Sequence, residues 1–360
     1  MIMKFEASEY RSLILSNDKA NRLKRGNNAV IVVDSFNRQI NELFFIDNHK
    51  YIGADKEVVY KTQDFKKYKT KKEKSFVWVY YPWNYHLVKT VRADDYFRLK
   101  TNRNQDLITA AEQKKLYNYK VAVFGMSVGS NIAFVATQAG IAREITIADF
   151  DNLDNTNLNR IFGGVHQIGL NKCVLAARRI YEDNPFAKVR IMPKGITEDN
   201  LEPLLAQKKL NCLVDEIDNL PMKINLRKLA LKYKVPVIMV TDNGNGIVLH
   251  IERYDLGYKK IFHRPLSYWN RKLREFGDPK INKMQMVGSI IMKDIVGGIH
   301  LVDPEMIKSV KKVISKKLVS WPQLGSAAML GGVYAVYALK KIALSKDKQL
   351  VARIHINPHL

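Results

Sequence analysis

Short apolar stretches interrupt a polar background along the first hundred residues, and three of them have the length and composition of strands. These predicted strands cover residues 29–33, 42–46 and 76–81. Between the last two lies a run, residues 61–74, with seven lysines in fourteen positions. We interpret this run as a solvated loop, and an arm that contacts an anion is the alternative. The pattern predicts a small N-terminal α/β domain over residues 1–100.

From residue 120 onward, apolar strands alternate with apolar helices. YKVAVFG predicts a buried strand that ends in GMSVGS, and the helix NIAFVATQAG and the strand EITIAD follow it. A strand, a glycine-containing turn, a helix and a parallel strand within about thirty residues form the βαβ unit that binds nucleotides. The sequence therefore predicts a nucleotide-binding domain in this part of the chain.

The alternation continues to about residue 254. It predicts helices over Lys172–Asp183 and Met222–Tyr233, and strands in KVRIMP, NCLVDEID and VPVIMVT. The expected fold is α/β, a Rossmann-like open, mainly parallel sheet with helices on both faces.

The last hundred residues lack this alternation. Residues 258–320 are basic and irregular, which predicts a crossover region. An apolar stretch over residues 324–344 contains glycines and two lysines, so a buried helix accounts for it better than a membrane span does. LVARIHI is a possible last strand.

Composition narrows the classes of function. The chain has 360 residues, of which 46% are apolar, and a net charge of +24 that attracts anions such as nucleotides, nucleic acid or acidic peptides. Its two cysteines, Cys173 and Cys212, form no CxxC pair, so we expect no zinc site and no disulfide framework. This composition suits a cytoplasmic protein, and we interpret both cysteines as small buried hydrophobic residues.

The turn after the first strand of the βαβ unit contains the first candidate ligands of a phosphate. They are Gly125, Ser127, Gly129 and Ser130. A tight strand-to-helix turn also requires glycine, so this turn alone is weak evidence. Asp149 follows the second strand, where such folds place the carboxylate that binds a ribose hydroxyl.

Further polar residues follow the predicted strands at the same edge of the sheet. Activation of a carboxylate by ATP brings two anions together, so the site needs fixed cations and a metal ion. Arg160 and Lys172 are the candidate cations, and Asp218 is a hard carboxylate that suits Mg²⁺. Asn157 and Asn159 could bond nucleotide oxygens.

Each of these residues has a simpler alternative. Arg160 could be a surface ion-pair partner, and Lys172 could be a solvated lysine at a helix N-terminus. Asp218 and Asn219 could cap the helix that starts near residue 222.

Four segments of the chain resemble the motifs of one family. GMSVGS, DFDNLDNTNLNR, GLNK and IDN, taken together, are similar to the motifs of the ThiF/MoeB superfamily, the adenylating relatives of ubiquitin-activating enzymes. The resemblance covers residues 101–255 and implies that Asp149 holds the ribose, that Arg160 and Lys172 contact phosphates, and that Asp218 binds magnesium. The implied nucleotide site also includes Asp151, Asn157, Asn159 and Asn219.

Arg103, in LKTNRNQ, lies where this family carries an arginine that reaches into the active site of the partner subunit. The resemblance therefore implies a homodimer, and an ordinary exposed arginine is the alternative. No cysteine lies in the predicted crossover region, so we expect no persistent enzyme thioester.

The flanks WVYYPW and SWPQLGSAAMLGG resemble stand-alone bacterial members with an added N-terminal domain, like the peptide-modifying enzymes of the microcin C and pantocin type. This implies that residues 1–100 hold a substrate peptide and that residues 101–360 form the adenylating domain. A peptide or small protein with a carboxylate is the implied substrate, and an acidic one would suit the basic chain.

Two other functions are compatible with parts of the sequence. A nicotinamide or flavin oxidoreductase fits the glycine turn and Asp149, but it does not account for NLNR, GLNK and IDN together. A non-catalytic module that binds anions or nucleic acid fits the charge, but no recognised DNA or RNA motif accompanies it. We therefore expect ATP and Mg²⁺ as cofactors, and neither a nucleic acid nor a membrane as partner.

Overall fold

The computed structural model describes residues 6–207, 209–346 and 348–357, apart from the side chains of residues 310, 311 and 314. The chain divides into two compact units. Unit 1 comprises Met1–Lys114 and Ala177–Ala187, and unit 2 comprises Lys115–Ala176 and Lys188–Leu360. The proposed domain boundary near residue 100 and the peptide-binding role of residues 1–100 stay predictions.

Unit 1 contains a four-stranded sheet. Its strands are β1 (Leu13–Leu15), β2 (Ile31–Asp34), β3 (Phe76–Tyr81) and β4 (His86–Val91). In the order β1-β3-β4-β2, β3 is antiparallel to both neighbours and β2 is parallel to β4. The helices are α1 (Ala7–Tyr10), α2 (Asn17–Gly26), α3 (Phe36–Asp47), α4 (Lys56–Val59), α5 (Gln63–Lys72) and α6 (Ala93–Thr101).

Two predictions for unit 1 are wrong. The expected strand at residues 42–46 belongs to helix α3, whose buried side chains recur at helical spacing and form one face: Phe36, Ile40, Leu43 and Phe44. The lysine run is helix α5 rather than a loop. Thr62 caps this helix by accepting a hydrogen bond from the Phe65 amide (3.2 Å), and buried Phe65 anchors it.

Unit 2 contains a seven-stranded sheet. Its strands are β5 (Val121–Phe124), β6 (Glu144–Ala148), β7 (Lys188–Met192), β8 (Cys212–Asp215), β9 (Val237–Asn243), β10 (Gly246–Glu252) and β11 (Val351–Ile356). In the order β11-β10-β9-β8-β5-β6-β7, the strands from β9 to β7 are parallel, whereas β10 and β11 pair antiparallel. The predicted Rossmann-like, mainly parallel sheet is confirmed.

The remaining helices are α7 (Ala110–Tyr117), α8 (Val128–Gln138), α9 (Lys172–Asp183), α10 (Glu198–Ala206), α11 (Leu220–Tyr233), α12 (Leu266–Gly277), α13 (Lys283–Ile290), α14 (Pro304–Ile314) and α15 (Gly325–Ala343). The division between the units falls within α7 and α9. The expected irregular crossover is largely helical, and its residues Trp269 and Ile290 pack in a core that also contains Ile224 of α11 and Met239 of β9. The prediction that residues 258–320 are irregular is therefore wrong.

Helix α15 is the apolar helix predicted near the C-terminus, and most of its length is buried. Its glycines permit close packing: a Cβ on Gly331 would lie 2.8 Å from Val240 Cγ1, and one on Gly332 would lie 3.1 Å from Asn131 Cβ. Within the described ranges, no helix combines the length and the hydropathy that crossing a membrane requires.

A buried ionic network joins α11 to two strands. The Arg227 side chain is fully buried, donates from Nε to Glu252 Oε2 (2.6 Å) and also pairs with Asp215. Lys223 Nζ lies 3.0 Å from the same Asp215 carboxylate. Burial alone would raise the pKa of Asp215, but the charges of Lys223 and Arg227 hold that pKa below its usual value. The network fixes the end of β8 against α11 and β10.

We expect Arg227→Met to destabilise the protein by roughly 3–5 kcal/mol, because it leaves buried carboxylates without their partner. Urea unfolding followed by circular dichroism measures this change. The control is Lys232→Met, which removes an exposed pair with Glu202 (2.6 Å) and should cost less than about 1 kcal/mol. Equal costs for the two variants would contradict the assigned role of the network.

Candidate functional site

The glycine turn follows β5 and depends on the absence of a side chain. Gly125 has φ +92°, and a Cβ there would lie 2.2 Å from the carbonyl oxygen of Glu216, after β8. Its amide donates to the Ala148 carbonyl at the end of β6 (2.8 Å). The turn therefore meets the ends of two neighbouring strands by backbone contact alone.

Helix α8 starts within the predicted phosphate loop. Close packing favours glycine at position 129, because a Cβ there would lie 2.9 Å from Val123 Cγ1 on β5. The Ser130 hydroxyl donates to the Ser127 carbonyl (2.8 Å), and the Ser127 hydroxyl accepts from Arg160 Nε (2.9 Å). The first turn of α8 thus presents its backbone amides, and the positive end of the helix dipole, beside the Arg160 guanidinium.

Asp149 ties the glycine turn to the end of β6. Its two carboxylate oxygens accept hydrogen bonds from the Met126 amide (2.6 Å) and the Asp151 amide (2.8 Å). The side chain is buried, and burial raises the pKa of Asp149. Asn171, which the sequence did not single out, supports the same loop by donating to the Asp149 carbonyl (3.3 Å) and the Asp151 carbonyl (3.2 Å).

Lys172 is buried and ion-paired rather than solvated. Its Nζ lies 2.9 Å from Asp151 Oδ2. Its backbone amide also donates to the Asp151 carbonyl (2.9 Å). The lysine is therefore held at the edge of the sheet beside the segment that follows β6.

The predicted asparagines take part in local structure. Asn157 Oδ1 accepts from the Asp154 amide (3.0 Å), which caps the short turn Asn155–Asn157. Asn159 Nδ2 donates to the Gln323 carbonyl (2.7 Å), while its Oδ1 accepts from Arg160 Nη1 (2.9 Å). The last of these contacts helps to hold the Arg160 guanidinium, whose Nε contacts the glycine turn through Ser127.

Asp218 and Asn219 lie in the segment between β8 and α11, and both are exposed. Asn219 is the N-cap of α11, because its Oδ1 accepts from the Met222 amide (2.9 Å). The capping alternative therefore holds for Asn219. Asp218 lies near enough to Arg160 for the two charges to interact, and this interaction favours the charged form of the arginine.

Two further carboxylic acids lie at this edge and were missed by the sequence analysis. Glu216 follows β8; its Oε1 accepts from the Val240 amide (2.9 Å), and burial raises the pKa of Glu216 well above its usual value. Asp242 lies near the end of β9, and both of its carboxylate oxygens are buried without a hydrogen-bond partner in the described part of the chain. Burial raises the pKa of Asp242 to about 6, against the opposing charge of Arg160. Its position at the end of an apolar strand was the signal that could have identified it.

The structure thus gathers most of the predicted residues at the carboxyl edge of the parallel strands of unit 2. Arg103 lies in unit 1, exposed on the turn Asn102–Asn104. Among the described residues, no group of three or more His, Cys, Asp or Glu side chains could hold a metal ion, so Mg²⁺ at Asp218 stays a prediction. Cys173 and Cys212 are buried as predicted, and burial raises the pKa of both thiols.

Comparison with known proteins identifies the family. The model of the ThiF family matches residues 99–357, which is most of the chain. The chain belongs to the ThiF family.

Two relatives of this ThiF-family chain are similar to it over part of its length. The uncharacterized protein MT1398 of Mycobacterium tuberculosis is 31% identical over 274 residues, which cover 75% of this chain and 36% of that protein. The tRNA threonylcarbamoyladenosine dehydratase of Bacillus subtilis is 32% identical over 146 residues, which cover 40% of this chain and 57% of that enzyme. The chain therefore spans from about a third to a little over half the length of these two relatives.

The fold of this ThiF-family chain also matches a solved structure. Escherichia coli MccB with ATP aligns with a TM-score of 0.50 and 16% sequence identity, over 82% of this chain and 75% of that chain. This similarity is one of fold.

We expect Gly125→Ala to destabilise the protein more than Gly169→Ala. Both positions have positive φ (+92° and +87°), but a Cβ on Gly169 meets no atom within 4 Å, whereas a Cβ on Gly125 overlaps the Glu216 backbone. The overlap should add roughly 1–3 kcal/mol to the conformational cost that both variants share. Urea unfolding of the two variants measures the difference, and equal losses would show that the close approach is not required.

We expect Asp242→Asn to raise the melting temperature above pH 6. The folded-state pKa of Asp242 is about 6, above its ordinary 3.8, so ionisation destabilises the folded protein as pH rises from about 4 to about 6. Removal of this charge should gain about 3 kcal/mol, on the order of 5 °C, at pH 7.5 and almost nothing near pH 4. Thermal unfolding at the two pH values measures the gain, with Asp199→Asn on the exposed start of α10 as control. A gain that is independent of pH would contradict this account.

Proposed function

We propose that this chain uses ATP to activate a carboxylate by adenylation. The observation that carries the proposal is the position of Arg160. Its Nε bonds the Ser127 hydroxyl (2.9 Å) at the start of α8, directly after the glycine turn. A cation at a helix N-terminus is where a polyphosphate binds in nucleotide-binding folds, and the chain belongs to a family of adenylating enzymes.

The side chains at the sheet edge fit a nucleotide. The α8 amides and the guanidinium of Arg160 suit the phosphates, and Lys172 adds a second cation at the same edge. The Asp149 carboxylate oxygens each keep a lone pair beyond the backbone bonds they accept, so this residue suits the ribose hydroxyls. The exposed carboxylate of Asp218 suits a magnesium ion that is bound chiefly by phosphates and water.

For the substrate, we propose the carboxylate of a peptide or small protein. The net charge of +24 favours an acidic one, and the resemblance to peptide-modifying members supports a peptide. The name of the B. subtilis relative refers to a modified nucleoside of tRNA, so tRNA belongs in the same screen. We further propose a homodimer in which Arg103 serves the site of the partner subunit.

We expect ATP to bind only weakly without Mg²⁺, and we expect Arg160→Ala and Asp218→Ala each to weaken Mg-ATP binding at least tenfold. Loss of one charged hydrogen bond or metal ligand accounts for a change of this size. Isothermal titration calorimetry measures the affinities. Arg190→Ala, which removes an exposed arginine from β7, is the matched control and should bind normally.

Unchanged affinity in both variants would overturn the assigned phosphate and metal contacts. Absence of ATP binding by the unmodified protein would overturn the proposed function. A bound nicotinamide or flavin would then favour the oxidoreductase alternative. With ATP binding established, release of pyrophosphate in the presence of acidic peptides or of tRNA identifies the substrate class.

A further inference from the structure

Adenylation leaves an activated acyl group, and the described part of the chain offers no accessible thiol to receive it. Cys173 and Cys212 are both fully buried, and burial raises the pKa of each thiol, so neither forms a thiolate readily. On the proposed function, the acyl group therefore passes directly to a nucleophile that enters with a substrate. Such a nucleophile has to lose a proton during the transfer.

Most carboxylic acids at the sheet edge are already engaged. Asp149 accepts two backbone amides, and Asp151 pairs with Lys172. Glu216 accepts a hydrogen bond from the Val240 amide, and burial raises the pKa of its carboxyl group. Asp218 is exposed to solvent and suits the metal ion. Each of these four carboxyl groups is therefore either bonded to another group of the protein or exposed to solvent.

Asp242 differs from all of them. Both of its carboxylate oxygens are buried, and neither has a hydrogen-bond partner in the described residues. Buried polar groups in folded proteins are nearly always satisfied, so an unpartnered carboxylate indicates a group that a ligand completes. Asp242 and the Arg160 side chain, which contacts Ser127, lie near enough for their charges to interact.

The chemistry of this group selects its partner. An ionised carboxylate only accepts hydrogen bonds, whereas an ammonium group only donates them. Asp242 can therefore bind an amine in its charged form and accept a proton from it. A pKa of about 6 keeps Asp242 ionised at neutral pH, while it remains more basic than an ordinary aspartate.

We propose that Asp242 accepts the proton of an amine that takes the acyl group from the acyl adenylate. The ammonium form of the amine first gives one proton to a carboxylate oxygen of Asp242, which frees the lone pair of the nitrogen. The neutral nitrogen then attacks the carbonyl carbon and a C–N bond forms. The C–O bond to the phosphate breaks, and AMP leaves with the electron pair. Asp242 passes the first proton to solvent, and the second proton leaves the nitrogen for solvent as the amide forms. The product is an amide, and no oxidant or reductant takes part.

The test separates the two half-reactions in Asp242→Asn and in the control Asp199→Asn. The carboxylate probe is a pool of synthetic acidic peptides with free C-terminal carboxylates, and its activation is measured by exchange of pyrophosphate into ATP. Transfer is measured with two nucleophiles, glycinamide and hydroxylamine. Hydroxylamine is largely unprotonated at neutral pH and needs no proton acceptor before it attacks.

We expect Asp242→Asn to keep pyrophosphate exchange within about threefold and to lose glycinamide transfer by about 100-fold or more, the usual contribution of a positioned base. Hydroxylamine transfer should stay within about threefold of the unmodified protein. Asp199→Asn should leave all three reactions unchanged. Thermal unfolding shows whether each variant is folded.

Three results would overturn this inference. One is a loss of pyrophosphate exchange in Asp242→Asn, or a higher Mg²⁺ requirement, because Asp242 would then serve the nucleotide or the metal ion. Another is an equal loss with both nucleophiles, which indicates a general structural effect. The third is undiminished glycinamide transfer. If the unmodified protein gives no exchange with the pool, the proposed adenylation of peptides fails, and this inference fails with it.

Discussion

A buried guanidinium determines where the loop after β8 lies. Arg227 reaches Asp215 at the end of β8 and Glu252 at the end of β10, and Lys223 shares the Asp215 carboxylate. Removal of these charges from water is costly, so the network is stable only in a geometry that pairs every charge. Asp215 immediately precedes the segment that carries Glu216 and Asp218. The position of that segment is therefore set in part by buried charged groups of α11 and β10.

The same segment determines the shape of the glycine turn. The Glu216 carbonyl approaches Gly125 so closely that no β-carbon fits between them. On the other side, the Met126 amide is held by Asp149 after β6. The start of α8 is thus fixed by contacts to the ends of two neighbouring strands. Arg160 adds positive charge to this backbone frame through its hydrogen bond to the Ser127 hydroxyl.

The features that could be predicted from the sequence are those that depend on residues close together along the chain. The βαβ unit, the buried helix α15 and the placement of polar residues after strands follow from short patterns. The segment 42–46 contains four apolar residues and resembles a strand when it is considered alone, whereas Phe36 and Ile40 extend it to one face of a helix. The crossover helices depend on a core that also contains Leu220, Ile224 and Met239, which are distant from them in sequence. Burial of Asp242 depends equally on tertiary packing, so composition could not show it.

The acidic residues of the site have different roles, and one of them has no hydrogen-bond partner among the described residues. Asp149 and Glu216 stabilise backbone amides, and Asp215 neutralises Arg227. In the part of the chain that the structure describes, the Asp242 carboxylate makes no such bond, and its burial disfavours ionisation in the folded state. An asparagine or a leucine would suit the fold better at this position, because neither carries a charge that has to be desolvated. Residues that cost stability are expected where the chemistry of a site requires them. The cost of Asp242 is thus itself an argument that this carboxylate meets a ligand.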